Sequence, residues 1–168
     1  ITSNPSPQSN PAIYGDKIVW QDGRSGNIDI YLYDLTTQTE QQIITNPSTQ
    51  SHPSIYEDKI VWQDRRNGNY DNIYLYDITN GQEERLTVYS GVIKQKPVIW
   101  HNTVVWEDLS YNGPTLSNYD IYFASISLSP LLNPIGSKSV REGRTLTFTV
   151  SATDANSDLL SYVWTTVT

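Results

Sequence analysis

The sequence predicts an all-β protein made of repeated sheet units, and three observations carry that prediction. A short apolar run ends in tryptophan and leads into acid three times: Ile18-Val19-Trp20-Gln21-Asp22, Ile60-Val61-Trp62-Gln63-Asp64 and Val104-Val105-Trp106-Glu107-Asp108. The spacings are 42 and 44 residues, and a proline stands nine residues before each tryptophan (Pro11, Pro53, Pro97). An Asp-(Asn)-Ile-Tyr pattern follows in each unit: Asp29-Ile30-Tyr31, Asp71-Asn72-Ile73-Tyr74 and Asp120-Ile121-Tyr122. A period of about 40 residues holding several short strands is the signature of propeller blades. No apolar period of about 3.6 residues runs over three turns, so essentially no helix is expected.

The repeats, about 1–42, 43–86 and 87–129, each resolve into four strands, giving three four-stranded blades. In the first, Ala12-Ile13-Tyr14 is a short strand and Gly15-Asp16 a tight hairpin turn. Lys17 to Asp22 forms the second strand, Ile28 to Leu35 the third and Gln41 to Thr45 the fourth. In the third strand Ile28, Ile30 and Leu32 alternate with Asp29, Tyr31 and Tyr33. Gly23-Arg24-Ser25-Gly26-Asn27 is turn-rich and joins the second strand to the third. The second repeat copies this frame with Glu57-Asp58, Arg66-Asn67-Gly68-Asn69 and Thr79-Asn80-Gly81-Gln82 at its turns. The third departs from it, with a longer loop through Gly113-Pro114 and Ala124-Ser125 in place of Tyr-Asp. Terminal repeats are commonly atypical, because one face lacks an equivalent neighbour.

Past Pro130 the repeat stops. Residues 130–168 carry alternating Leu146, Phe148, Val150 and then Leu160, Tyr162, Trp164 across the turn Asp154-Ala155-Asn156-Ser157-Asp158. That reads as a β-hairpin or an incomplete sandwich, since a whole sandwich of this type needs about 100 residues.

Composition narrows the function classes. Aromatic residues make up 11 %, dominated by 12 Tyr and 5 Trp, which suits pleated surfaces. Cysteine is absent, so disulfides and thiolate metal sites are excluded. The net charge is −7, and the repeat region holds the acidic excess, which argues against a nucleic-acid partner. The apolar runs are too short for a membrane-spanning helix, so no membrane insertion is expected. Methionine is missing even at position 1, from which a processed or excised piece of something longer is expected.

The frame Pro-x-Ile-Tyr-(Gly/Glu)-Asp-Lys-Ile-Val-Trp-Gln-Asp, followed by Asp-Ile-Tyr-Leu-Tyr-Asp, resembles the TolB-like β-propeller repeat. It is most similar to the version found in tandem on archaeal and bacterial cell-surface proteins, and the match covers residues 1–128. The tail, with Pro134-Ile135-Gly136, Glu142-Gly143 and Ala152-Thr153-Asp154, resembles the start of an Ig-like or cadherin-like module. The resemblance implies an extracellular or surface-exposed multi-domain parent and no family-defining catalytic residues. The count of three blades departs from the six or seven of that family.

Four groups of residues are candidates for chemistry. The signature Trp20/Asp22, Trp62/Asp64, Trp106/Asp108 admits either a ring of aromatic-acidic ligand sites or an architectural role. The second is preferred, with Trp packing between blades and Asp capping the next loop, because residues repeated by symmetry are usually scaffold. Asp29, Asp71 and Asp120 are read as turn caps rather than a metal ring, and His52 and His101 as surface residues. Asp154-x-Asn156-x-Asp158 places three oxygen donors at spacings that can converge on calcium, and the resemblance to cadherin-like modules implies a distant Glu as a further ligand, for which Glu142 is available; a solvated turn is the plainer alternative. No other cofactor is expected. The expectation is thus a non-catalytic binding or scaffold protein of the cell surface or extracellular space, serving adhesion or envelope or filament assembly. Its partners are other protein subunits or surface polymers, and three blades close a ring only by pairing with more blades, as in a homo-oligomer. The alternative is a fragment of a propeller enzyme acting on carbohydrate, a lyase or glycosidase. The tail, too short to bury its own apolar face, is expected to add to another sheet's edge or to be a remnant module.

Overall fold

The computed structural model describes residues 1–88, 92–109 and 118–126, together with the backbone of 131–132 and 152–153. Among them there is no helix, and the order of elements is strand after strand. The chain divides into two compact units, Ile1–Ser125 and Ile126–Thr168.

The first unit holds three antiparallel meanders. Strands β1 (Gln8–Tyr14), β2 (Lys17–Asp22), β3 (Asp29–Asp34) and β4 (Thr39–Gln42) form the first sheet in sequence order. Strands β5 (Gln50–Tyr56), β6 (Lys59–Asp64), β7 (Asn72–Asp77) and β8 (Gln82–Arg85) repeat it. The third sheet contains β9 (Lys94–Trp100), β10 (Thr103–Asp108) and β11 (Asp120–Ser125). The fourth strand expected there lies outside the described residues. In the second unit β12 (Leu131–Leu132) pairs antiparallel with β13 (Ala152–Thr153). Apart from Ala152 and Thr153, the alternating run from Leu146 to Trp164, read as a hairpin or incomplete sandwich, lies outside the described residues.

The sheets stack radially. Strand β5 lies against both β1 and β9, whereas β4 and β8 pack on the outer edges of their own sheets, so first strands converge and fourth strands diverge. Opposed residues share a face. Val19, Ile30 and Leu32 of the first sheet thus present one side, which packs against Ile55, Ile60, Trp62 and Tyr74 of the second to make the apolar core. The alternation expected in the third strand places Ile30 and Leu32 on one face and Tyr31 with Trp20 on the other. Asp29, Ile30, Tyr31 and Leu32 are all buried, Ile30 and Leu32 against the second sheet and Tyr31 beneath Arg24.

Each first strand slips register before its hairpin: between Ser9 and Ala12, between Ser51 and Ser54, and opposite Val105–Glu107. At each slip the residue before the proline takes a left-handed conformation, with φ of 52° at Asn10, 54° at His52 and 51° at Lys96. The extra residue lengthens β1 beyond the expected Ala12–Tyr14 and twists the strand. The fourth strand also begins earlier than Gln41. A turn with φ of 57° at Gln38, matched by 69° at Gly81, reverses the chain within a few residues. Asp34 Oδ1 caps that turn by accepting the Thr36 and Thr37 amides at 2.8 and 2.9 Å.

Candidate functional site

The signature residues build one cluster per sheet. Trp and Asp stand two apart on a strand and therefore share a face. Trp20 Nε1 donates to Asp22 Oδ2 at 3.0 Å, Trp62 Nε1 to Asp64 Oδ2 at 3.0 Å, and Trp106 Nε1 to Asp108 Oδ2 at 3.4 Å. The other carboxylate oxygen accepts a loop amide, Arg24 N at 2.9 Å and Arg66 N at 2.8 Å. Each arginine then folds back on the same carboxylate, with Nη2 2.6 Å from Oδ2 in both sheets. Its other nitrogen reaches an acid on the outer strand, Glu40 or Glu83. The guanidinium lies over Tyr31 at 4.5 Å and over Tyr74 at 4.4 Å, and those rings stack on Trp20 and Trp62 at 6.0 Å. Burial opposes the Asp22 charge, but hydrogen bonds from Arg24 and Trp20 outweigh it and hold that carboxyl below the ordinary aspartate range. Asp22 and Asp64 are wholly buried, so their carboxylates are engaged by partners within their own sheets, while Arg66 and Glu83 at the outer end border a surface hollow with Asn46 and Pro47.

The third cluster is built differently. No Lys or Arg occurs between 109 and 119. Trp106 still stacks on Tyr122, at 6.4 Å. The positive charge near Asp108 comes instead from Lys94, a buried residue at the strand position that Gln8 and Gln50 hold in the other sheets. Burial pushes the Lys94 ammonium down, and the Asp108 carboxylate works against that shift.

The loop carboxylates do not form a set. Register pairs Asp22 with Asp29, Asp64 with Asn72 and Asp108 with Asp120, so Asn72 and not Asp71 is the counterpart of Asp29. One extra residue in the second loop causes the offset. Asp29 accepts from Ser25, from Asn27 Nδ2 at 2.5 Å and from Gln42 Nε2 at 2.8 Å, and burial raises its carboxyl above the ordinary range. Asp71 instead holds Arg65 Nε at 2.9 Å. Among the described residues, no three His, Asp or Glu side chains stand where they could hold one metal ion. Asp154, Asn156, Asp158 and Glu142 lie outside the described residues. Of the two histidines, His52 is half-buried at the register slip, whereas His101 is exposed.

His101 belongs to a grouping that sequence reasoning missed. Tyr14, Tyr56 and Trp100 each stand six residues before a signature tryptophan, at the end of a converging first strand. They form a continuous aromatic row: Tyr14 and Tyr56 centroids are 4.6 Å apart, Tyr56 and Trp100 5.0 Å. His101 closes the row, 4.9 Å from Tyr56 and edge-on to Trp100 at 5.0 Å. The Tyr56 hydroxyl lies 3.2 Å from His101 Nδ1. Tyr56 is the buried centre, while Trp100 is 66 % and Tyr14 36 % exposed. Burial, followed by the neighbouring Tyr14, raises the Tyr56 hydroxyl above its ordinary range. Asp16, Glu57 and Asp58 sit in the adjoining hairpin turns, where Lys17 bridges to Asp58 at 3.4 Å. Such a row offers ring faces for stacking and polar edges for hydrogen bonds. The missed signal was the recurrence of an aromatic at a fixed offset, hidden because the third copy is Trp and not Tyr.

No protein-family model matches the chain, and no curated protein matches it. Solved structures do. TolB from Acinetobacter baumannii aligns with a TM-score of 0.59 at 19 % identity, over 94 % of this chain and 43 % of that one. A protein assigned as TolB in Agrobacterium tumefaciens gives 0.59 at 15 % identity, over 74 % and 47 %. A chain of a nidogen/laminin complex gives 0.52 at 16 % identity, over 70 % and 44 %. At these identities the likeness shows the fold, a TolB-like β-propeller arrangement of sheets. The chain spans less than half the length of each of these structures.

Proposed function

We propose that this chain is a non-catalytic binding module of an extracellular or cell-surface protein, and that the row Tyr14–Tyr56–Trp100–His101 is its contact surface. One observation carries the reading: the carboxylates of the first two clusters are buried and engaged by their own arginines, while the row presents an exposed tryptophan on the converging strands. Exposed aromatic rings held rigidly by their neighbours are efficient anchors, because little side-chain freedom is lost on binding. The matching chemistry is the apolar face of a sugar ring or the side chains of a partner protein, within a surface polymer or an adhesion contact. The acidic composition, rich in Tyr, Asn and Thr, supports placement outside the cell. The likeness to a chain taken from a nidogen/laminin complex supports a role in protein assembly.

The test is a titration of soluble glycans and extracellular peptides, followed by tryptophan fluorescence. A ligand is expected to shift the emission and to lose at least tenfold in affinity in Trp100→Ala. Binding that survives Trp100→Ala and Tyr14→Ala together removes the row from the site. Turnover of a glycan by the wild-type chain replaces the reading with a carbohydrate-active enzyme.

A further inference from the structure

We propose that the joint between the first and second sheets is a calcium site, built from Asp29, the carbonyls of Asn46 and Ser48, and the side-chain oxygens of Asn27 and Gln50. The proposal is independent of what the aromatic row binds.

The turn that enters β5 sets out the oxygens. Asn46 Oδ1 accepts the Ser48 amide at 3.0 Å, as Asn4 Oδ1 accepts the Ser6 amide at 2.9 Å in the matching turn before β1. Both turns read Asn-Pro-Ser-x-Gln, and in both the Asn and Ser carbonyls face the glutamine. Gln50 Nε2 donates to Asn46 O at 3.3 Å and to Ser48 O, and Gln8 Nε2 donates to Asn4 O at 3.2 Å and to Ser6 O. At the turn before β5 the loop of the first sheet adds Asn27 and Asp29. Asn27 Nδ2 lies 2.5 Å from Asp29 Oδ1, 3.0 Å from Ser48 O and 3.2 Å from Asn46 O. One NH2 group thus offers two hydrogens to three converging oxygens, two of which also serve Gln50. Turning either amide over exchanges its nitrogen for its oxygen, and such terminal torsions are soft. The set then consists of oxygens alone, the ligand chemistry of a hard cation.

Two further observations call for positive charge there. Gln50 is wholly buried, and its Oε1 has no hydrogen-bond donor among the described residues. Buried acceptors are rarely left so, and a cation satisfies this one. Asp29 is buried too, and its hydrogen bonds come from Ser25, Asn27 and Gln42, all of them neutral. Asp22 and Asp64 each hold an arginine, whereas Asp29 has no ion-pair partner among the described residues. Burial, with repulsion from Asp22 and Asp64 added, raises the Asp29 carboxyl above its ordinary range. A cation at the joint opposes both effects.

The joint between the second and third sheets solves the same problem with a side chain. Register places Asn72 there where Asp29 stands, and Lys94 where Gln50 stands. The backbones correspond, since Gln50 N donates to Ile28 O at 2.8 Å and Lys94 N to Asp71 O at 3.2 Å. That joint therefore carries one carboxylate fewer and a built-in ammonium, while the first keeps the acid without the base. Calcium suits the first joint better than magnesium. It accepts an irregular cage of peptide and amide oxygens, whereas magnesium demands near-ideal octahedral geometry and dehydrates reluctantly. A single carboxylate among the ligands makes a weak site, with Kd of about 0.1–1 mM, as in extracellular modules.

Calorimetric titration of the full chain with calcium chloride, paired with urea unfolding at the same calcium levels, tests the site. The wild type is expected to bind calcium and to raise its urea midpoint until the site saturates, with magnesium at least tenfold weaker. Asp29→Asn copies the second sheet and should weaken calcium at least tenfold. Gln50→Lys copies the third sheet and should make the midpoint independent of calcium while raising its calcium-free value. This second variant decides the matter if Asp29→Asn fails to fold. Asp154→Asn combined with Asp158→Asn should keep the calcium effect, which separates the joint from the acidic turn near the C-terminus. The proposal is overturned by a wild type that ignores calcium, or by a midpoint shift that survives both Asp29→Asn and Gln50→Lys. Loss of the effect in the Asp154/Asp158 double variant overturns it as well.

Discussion

Arg66 joins a wholly buried carboxylate, an outer-strand acid and a tyrosine ring, whereas Arg65 beside it reaches Asp71 from a mostly exposed side chain. The two should therefore respond differently to truncation. Arg66→Ala strands Asp64 without its counter-charge, and urea unfolding is expected to show a loss of about 3 kcal/mol. Arg65→Ala should cost less, about 1 kcal/mol, because the Arg65 side chain is mostly exposed and Gln63 Nε2 still donates to the buried Asp71 carboxylate. Acid titration probes the same residues. For Asp77, burial disfavours the charge, but Lys59 at 3.2 Å and the Thr79 amide hold its carboxyl below the ordinary range, as happens at Asp22. A depressed carboxyl binds fewer protons when folded than when unfolded. Its stabilisation is therefore full above the ordinary aspartate range and fades as pH falls through the lower folded value. Asp29 is raised, so its protonation favours the fold and offsets part of that loss. Urea midpoints followed from neutrality into acid should fall, and Asp77→Asn should start lower and fall less. At this scale the sequence exposed the tryptophans and aspartates because three copies agreed. It hid the arginines, since Ser110 ends the pattern in the third copy and Lys94 supplies the charge from another strand.

The register slip of the first strand is a repeated conformation without repeated chemistry. Asn10, His52 and Lys96 share a positive φ and differ in every side-chain property. Only the following proline was legible, and a residue before proline is ordinarily pushed to extended conformations, which pointed away from the left-handed turn. The structure makes the consequence measurable at His52. His52→Gly should be close to neutral, since glycine relieves strain and loosens the unfolded chain by similar amounts. His52→Val should cost about 1–2 kcal/mol, because a branched Cβ crowds the left-handed region. Equal urea midpoints for the two variants would show that the slip is absent in solution. The second-sheet loop gives a similar lesson. A single inserted residue makes Asp71 look like the partner of Asp29, and only the β6–β7 register identifies Asn72.

Across the three sheets of the first unit, protection is expected to follow how many faces a sheet has covered. Strands β6 and β7 are buried at nearly every position, whereas β11 is exposed at nearly every position and β1 is not buried at any. Amide hydrogen exchange should therefore be slowest in β6 and β7 and faster by orders of magnitude in β1 and β11. Uniform exchange across the three sheets would contradict an open array. The fold class was legible at this scale because period, strand length and turn chemistry agreed. The exposure of the last sheet was not, because Ile121 and Phe123 are as apolar as the buried residues they match.

The closed clusters have a consequence for inheritance. In the first two sheets the tryptophan, aspartate, arginine, tyrosine and outer-strand acid come from a single stretch of sequence, and what passes between sheets is an apolar face and two or three amide contacts. A duplication of one such stretch would thus arrive with its polar groups already matched and would meet neighbours it already fits. Lineages can lengthen or shorten such an array in single steps, without a chain of compensating substitutions. The third sheet shows the other arrangement, its positive charge coming from Lys94 on a different strand.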